Sequence, residues 1–153
     1  MKNYEILSDN CKIMWHENFE IGHQEYTQVS GYIFNDKNQL LIVRNGTVWT
    51  IPGGHPEPNE TPINTLDREV MEESCVTLRD TQYLGAVEVV ENSKTYYQLR
   101  YTARVKDVLP FKQEWEILER KFVDIQELHK YITWSNGITF QQQINSSKKY
   151  WDL

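Results

Sequence analysis

The sequence predicts an α/β domain in which helices cover both faces of a mixed β-sheet. Three observations support this fold class: β-branched and aromatic runs flank one well-defined helix, a second helical segment closes the chain, and no Pro/Gly/Ser linker divides it. The order of strands, helix, strands and helix does not repeat as a regular βαβ winding, which favours a mixed sheet. At 153 residues, we expect a single domain over residues 1–153.

The first strands lie before the helix. Residues 27–34 and 40–44 are rich in β-branched and aromatic side chains, and the polar segment 35–38 joins them as a hairpin turn. A shorter strand is predicted at residues 48–51. It stops at Pro52, because proline cannot donate a ladder hydrogen bond.

The first helix is predicted over residues 62–73. Ile63, Leu66 and Val70 recur near helical spacing, so one face of this segment is apolar. Thr61, followed by a proline, is a suitable N-cap for a helix that starts there.

The second half of the chain predicts further strands and two short helices. Residues 83–91 and 95–106 indicate a pair of longer strands, and residues 120–124 indicate a last strand. Helices are predicted at 125–132 and at about 137–148, separated by a Ser-Asn-Gly turn signal.

Composition and charge exclude several classes of protein. With 39% hydrophobic and 25% charged residues, the chain is too rich in core-forming side chains to be disordered. A net charge of -6 disfavours a nucleic acid polymer as partner, although a small nucleotide can still bind through a cation. Cys11 and Cys75 are isolated, and no signal peptide or membrane-spanning run is apparent. We therefore expect a cytoplasmic protein without a membrane partner.

Three carboxylates stand on one face of the predicted helix. Glu69, Glu72 and Glu73 occur at i, i+3 and i+4, so their side chains are neighbours and repel one another. A hard cation explains such a cluster, and Mg²⁺ is favoured because it keeps waters and adds substrate phosphates. The alternative is an ordinary solvated helix face on which Arg68 pairs with a neighbour.

The spacing around these carboxylates resembles the Nudix box. Residues 54–76 read Gly, five residues, Glu, seven residues, Arg-Glu-Val, one residue, Glu-Glu, one residue, Cys-Val. The family has a glycine where this chain has Cys75. A glycine there supplies a left-handed residue at a helix end, so this departure bears on local geometry more than on the ligands.

The resemblance implies a Nudix fold and a MutT-like, divalent-metal-dependent hydrolase, with Mg²⁺ as the ion and Mn²⁺ as its substitute. Water attacks a phosphorus of a nucleoside diphosphate linked to another group, and a nucleoside triphosphate is the leading substrate. Alternatives are a nucleotide sugar, ADP-ribose or a dinucleoside polyphosphate, or a module that senses a nucleotide without cleaving it. Dimers are frequent in the family, so a homodimer is an open expectation, although no stretch identifies an interface.

The resemblance also implies roles for residues within the box. Glu69 and Glu73 match the principal metal ligands, Glu72 matches an additional one, and the carbonyl of Gly53 matches a backbone ligand. Arg68 would support catalysis by orienting Glu69 or the neighbouring Glu60, or else hold an ion pair that is only structural.

Residues outside and beside the box complete the expected site. Many family members carry a glutamate six residues before an aromatic that opens the last strand, and Glu116 stands six before Phe122, so Glu116 is the expected general base. Glu91 and Glu114 are its rivals. Residues expected to contact the substrate are Arg44 at the end of a strand, Gly54 and His55.

Overall fold

The computed structural model describes residues 3–113 and 116–153. In that part of the chain, nine strands form one sheet, and two α-helices and a 3₁₀ helix pack against it. In chain order the elements are β1 (Glu5–Ser8), β2 (Cys11–Glu17), β3 (Tyr26–Phe34), β4 (Leu40–Asn45), β5 (Val48–Thr50), β6 (Gly53–Gly54), α1 (Pro62–Ser74), β7 (Val76–Glu91), β8 (Lys94–Val108), β9 (Ile117–Val123), the 3₁₀ helix (Ile125–Lys130) and α2 (Ile138–Trp151).

The sheet is mixed, as predicted. Its strand order is β1-β2-β7-β8-β3-β4-β5, with β6 paired to β3 and β9 paired to β4. Strands β3 and β8 run parallel through the centre, with Ser30 opposite Arg100, whereas the hairpins on either side are antiparallel. The two central strands therefore present their side chains to both layers of the core.

The two α-helices cover opposite faces of the sheet, which confirms the predicted α/β/α layering. Leu66 and Val70 of α1 are fully buried against one face, and burial of such side chains contributes roughly 1.5–3 kcal/mol each. Phe140 and Ile144 of α2 belong to the core on the other face, together with Tyr32. No helix in the described ranges has the length and apolar character required to cross a membrane.

Most predicted elements are confirmed, although some bounds differ and some strands were not predicted. Strand β7 begins at Val76 rather than at residue 83, because register shifts and the positive φ of Asp80 obscure its alternation. The short helix predicted at 125–132 is present as a 3₁₀ helix, Ile125–Lys130. The hairpin of β1 and β2 was not predicted, since its side chains are exposed or half-buried and lack a clean two-residue pattern.

The ends of α1 are fixed by local geometry. Thr61 is the N-cap, and its hydroxyl oxygen accepts a hydrogen bond of 3.1 Å from the backbone N–H of Asn64. At the other end Cys75 adopts the left-handed conformation with φ 58°, and its N–H donates to the carbonyl of Met71. A non-glycine residue thus occupies a backbone conformation that favours glycine.

Replacement of Cys75 by glycine tests this strain. We expect Cys75→Gly to raise the free energy of unfolding by about 1 kcal/mol, because glycine adopts the left-handed conformation without a Cβ penalty. Urea denaturation would measure the change. Cys75→Ala is the control, since it removes the thiol but keeps the Cβ. A stabilisation of the same size in both variants would assign the effect to the thiol instead.

Candidate active site

The Gly53–Gly54 turn brings backbone against the carboxylates of α1. Strand β6 pairs with β3, with Gly53 opposite Ser30. The backbone N–H of Gly53 donates a 2.8 Å hydrogen bond to the carboxylate of Glu73. A Cβ at position 53 would lie 2.4 Å from the carbonyl oxygen of Val29, so only glycine fits between β3 and the helix.

Gly54 allows a second carboxylate to reach the turn. A Cβ at this position would lie 2.5 Å from the carboxyl carbon of Glu69. The carboxyl group of Glu69 therefore occupies the space that any other residue would fill. The two adjacent glycines of the turn thus meet Glu69 and Glu73, which lie one helical turn apart on α1.

Arg68 connects the loop before α1 to the carboxylates of the helix. Its guanidinium donates to both oxygens of Glu60 at 2.7 and 3.0 Å. One Nη also donates to Glu69 at 2.9 Å and to Glu72 at 3.3 Å. The other Nη donates to the carbonyl of His55 at 3.0 Å. This bidentate geometry holds the loop on α1 and fixes the direction of Glu69.

The charges of the cluster perturb its ionisation. Hydrogen bonds from Arg68, with a further one from the N–H of Glu57, lower the pKa of Glu60 to about 2. Burial raises the pKa of Glu73 to about 7; the Gly53 N–H opposes this rise and the charges of Glu69 and Glu72 add to it. Glu73 is therefore a carboxylate that an added positive charge would strongly favour in its ionised form.

The donor set of the cluster has the chemistry of a site for a hard cation. Glu69, Glu72 and Glu73 offer carboxylate oxygens, and the adjacent turn offers backbone carbonyls, all of which suit Mg²⁺ or Mn²⁺. Over residues 3–113 and 116–153, no three acidic, histidine or cysteine side chains converge closely enough to hold an ion as they stand. The three carboxylates instead bind protein groups: Arg68 donates to Glu69 and Glu72, and the Gly53 N–H donates to Glu73.

Arg44 and Glu116 lie together at the end of β4. The Arg44 side chain contacts Glu119 at 3.3 Å and the carbonyl of Gly46 at 2.7 Å. Glu116 is exposed and accepts a 3.1 Å hydrogen bond from the Asn45 amide. Among the described residues, no hydrogen bond or ion pair joins Arg44 or Glu116 to the carboxylates of α1.

The remaining predicted residues occupy different surroundings. His55 is exposed, and the contact it makes to the cluster is through its backbone carbonyl. Glu91 lies at the tip of the β7–β8 hairpin, where it accepts a 3.1 Å hydrogen bond from the hydroxyl of Tyr96. Glu114 lies outside the described residues.

Arg120 is a positioning residue that the sequence analysis did not identify. Its guanidinium donates a 2.7 Å hydrogen bond from β9 to the carbonyl of Ser74, the last residue of α1. This bond satisfies a carbonyl that the helix end leaves without a partner, next to Glu73. Arg120 pairs with Val43 of β4, and its side chain lies on the α1 side of β9. Strand alternation could have predicted this face from the sequence. A lone arginine in a strand does not, however, reveal which residue it contacts.

Comparison with known proteins places the fold among characterised ones. Residues 26–142 match the profile of the NUDIX domain. The chain is similar to the structure of the pyrophosphohydrolase BsRppH from Bacillus subtilis, with 15% identity and a TM-score of 0.77 over 92% of each chain. It is also similar to a NUDIX hydrolase from Nitrosomonas europaea, with 23% identity and a TM-score of 0.69 over 83% of this chain and 90% of that one.

A third similar structure contains a ligand. The NUDIX domain of Shewanella oneidensis NrtR, complexed with ADP ribose, is 16% identical with a TM-score of 0.65, over 88% of this chain and 94% of that one. At these identities the structural likenesses establish the fold, and the family rests on the profile match.

Alanine substitutions in the turn separate its two contacts. We expect Gly53→Ala to lower the free energy of unfolding by about 3 kcal/mol, because its Cβ would strike backbone atoms of β3. Gly54→Ala should cost much less, because the flexible side chain of Glu69 can move aside. Gly46→Ala is the control, since Gly46 has positive φ but open space around it. Equal losses in all three, measured by urea denaturation, would contradict the close approach at Gly53.

Proposed function

This chain belongs to the Nudix hydrolase family, and on that premise we propose that it hydrolyses a phosphoanhydride bond of a nucleoside triphosphate or another nucleoside diphosphate derivative. The observation that supports this most directly is the contact of Glu69 and Glu73 with the Gly53–Gly54 turn. Members of the family generally need a divalent cation. We propose Mg²⁺ for this chain, with Mn²⁺ as a substitute, because every donor in the cluster is a hard oxygen.

We propose that Glu69 and Glu73 hold the cation, with Glu72 and the carbonyl of Gly53 as additional ligands. When bound, such an ion offsets charge on the phosphate oxygens and lowers the pKa of a water. The hydrogen bond from the Gly53 N–H orients Glu73 within the cluster. These carboxylates repel one another, which a protein that only bound nucleotides would have little reason to retain.

Arg68 supports the site by positioning other groups. Its bonds to Glu60 fix the loop, and its bonds to Glu69 and Glu72 restrict two of the proposed ligands. For the cation to bind both carboxylates, the Arg68 Nη that lies between them must release at least one of them. The bidentate contact with Glu60 is independent of that Nη–carboxylate contact, so the brace on the loop can persist.

We propose that Arg44, Gly54 and His55 contact the substrate. Arg44 carries a cation at the end of β4, and its side chain is 30% exposed, so a phosphate can reach it. The backbone of Gly54 lies beside Glu69, and the exposed His55 ring follows directly in the chain.

Small nucleotide derivatives are the proposed partners, in keeping with the net charge of -6. A cytoplasmic location and a homodimer stay predictions from the sequence. A nucleotide sugar, ADP-ribose or a dinucleoside polyphosphate is the alternative substrate, and the ADP ribose bound to the NrtR domain makes ADP-ribose the first of these to test. A sensing module that binds without cleavage is the alternative from another class.

Release of phosphate, pyrophosphate or nucleoside monophosphate across a panel of these substrates tests the proposal. We expect at least one substrate to be cleaved with Mg²⁺, and cleavage to stop when the ion is chelated. If no member of the panel turned over with Mg²⁺ or Mn²⁺ while one still bound, the hydrolase proposal would fail in favour of the sensing module.

Replacement of a proposed ligand tests the metal site. We expect Glu73→Gln to lower turnover on the order of 1,000-fold, because a neutral amide is a poor ligand for a hard cation. The fold should persist, which circular dichroism and thermal melting would check. Glu20→Gln is the matched control at an exposed position. Near-wild-type turnover of Glu73→Gln would remove Glu73 from the metal site.

Glu→Gln substitutions at Glu116 and at its rival Glu91 test which residue is the general base. We propose Glu116 as the base, so Glu116→Gln should lower kcat by about 100-fold or more and leave KM nearly unchanged. Glu91→Gln should keep the wild-type kcat and KM, because Glu91 lies at a hairpin tip. The opposite pattern, with the loss in Glu91→Gln, would assign the base to Glu91.

A further inference from the structure

The last turn of α1 is unfavourable by its own sequence. It contains Glu72 and Glu73 and has no basic side chain. The carbonyl groups at a helix C-terminus carry partial negative charge, so carboxylates are disfavoured there and cations are favoured. Arg68 offsets part of the negative charge, but its other hydrogen bonds go to the loop before α1. A cation from elsewhere in the fold would therefore stabilise this turn.

Strand β9 supplies such a cation. The guanidinium of Arg120 donates its 2.7 Å hydrogen bond to the carbonyl of Ser74, the residue at which α1 ends. The Cζ atom of Arg120 also lies 5.6 Å from the centre of the Phe111 ring. Among the described residues, no ion pair includes Arg120. Its charge is therefore available to the end of the helix.

The residue after Ser74 is held from the same part of the fold. Cys75 links α1 directly to β7, and its carbonyl accepts a 3.0 Å hydrogen bond from the N–H of Leu109. Leu109 follows β8 and begins the connection to β9. Two successive carbonyls at the end of α1 therefore receive hydrogen bonds from the region of β8 and β9.

The position of Glu73 depends on this end of the helix. Glu73 directly precedes Ser74, and its carboxylate accepts the 2.8 Å hydrogen bond from the Gly53 N–H. Helix ends fray from the last residue inward. Loss of the bond at Ser74 would thus release the backbone of Glu73 next, and its carboxylate would leave the glycine turn.

We propose that Arg120, through the last turn of α1, keeps the carboxylate of Glu73 at the Gly53–Gly54 turn and so sets the affinity of the chain for a divalent cation. This rests on the proposed function for the role of Glu73 as a metal ligand. In the described part of the chain, no hydrogen bond or ion pair joins Arg120 to a carboxylate of α1. Its effect therefore passes through the backbone of the helix.

Arg104 offers a matched control for Arg120. It also lies on a strand, donates to a backbone carbonyl and lies near aromatic rings: its hydrogen bond of 3.0 Å goes to Asn35, and the rings are those of Phe34 and Trp151. Asn35 belongs to the turn between β3 and β4. Arg104→Met and Arg120→Met thus remove comparable contacts, but only the second removes a contact with α1.

Hydrogen exchange of the Gly53 amide, measured by NMR in the metal-free protein, tests the proposal. We expect Arg120→Met to speed this exchange at least about ten-fold, because a frayed last turn breaks the bond from Gly53 to Glu73. Arg104→Met should keep the wild-type rate. The amide of Gln39, which donates to the side chain of Asn35 at 2.9 Å, is the internal reference and should exchange unchanged in Arg120→Met.

The outcomes at Gly53 decide the role of Arg120. A wild-type rate in Arg120→Met would overturn the proposal. Equal acceleration at Gln39, or in Arg104→Met, would also overturn it, since either result would indicate a general loss of stability. Arg120→Lys keeps a cationic donor and should restore most of the wild-type protection; a lysine variant as fast as Arg120→Met would contradict the role of the cation. If Arg120→Met did not fold, Arg120→Gln and Arg104→Gln would be compared in the same way.

Mn²⁺ binding, followed by electron paramagnetic resonance, extends the test to the proposed ligands. We expect Arg120→Met to weaken binding at least about five-fold, somewhat less than the effect of removing a residue that hydrogen-bonds to a ligand. Arg104→Met should bind Mn²⁺ as the wild type does. Wild-type affinity in Arg120→Met would overturn the proposal.

The two proposals fail separately. If the wild-type chain bound no Mn²⁺ and cleaved no nucleotide, the proposed function would fail, and the exchange of Gly53 in the metal-free protein would still decide whether Arg120 positions Glu73. Unchanged exchange and unchanged Mn²⁺ affinity in Arg120→Met, with metal-dependent cleavage intact, would overturn the role of Arg120 and leave the hydrolase proposal standing.

Discussion

The close approach between the Gly53–Gly54 turn and α1 is the constraint on which the site depends. One glycine donates its N–H to Glu73, and the other leaves room for the carboxyl group of Glu69. Helix α1 can hold this position because its apolar face is buried on the sheet and Arg120 binds its last carbonyl. Fold stability and the geometry of the carboxylate cluster therefore share the same contacts, and movement of the helix would disturb both.

Strand β3 connects the two faces of the sheet. Val29 faces α1, whereas Ser30 faces a cavity between the sheet and α2 and touches the turn. Because side chains alternate along a strand, these adjacent residues of β3 face the two layers of the core.

The sequence predicted the layers of the fold, helix α1 and the Nudix family, because the signals for them are local. The 3.6-residue periodicity indicates α1, and the spacing of residues 54–76 indicates the family. It also identified Cys75 as a residue that stands where the family has a glycine at a helix end. In the structure Cys75 has the left-handed backbone conformation that such a glycine adopts. It did not predict the hairpin of β1 and β2 or the contacts of Arg120 and Arg100. The contact of Arg120 with Ser74 and those of Arg100 with Gln28 and Gln143 join segments far apart in the chain, so no local pattern encodes them. The roles of the site residues stay predictions.

Binding of Mn²⁺, followed by electron paramagnetic resonance, tests the metal assignment on which the proposed chemistry depends. We expect the wild-type chain to bind Mn²⁺. Glu69→Gln should weaken that binding at least about ten-fold, because even the loss of a residue that only hydrogen-bonds to a metal ligand lowers metal affinity by this much. Glu20→Gln should bind as the wild type does. Equal affinities of all three proteins would contradict a metal site built on α1.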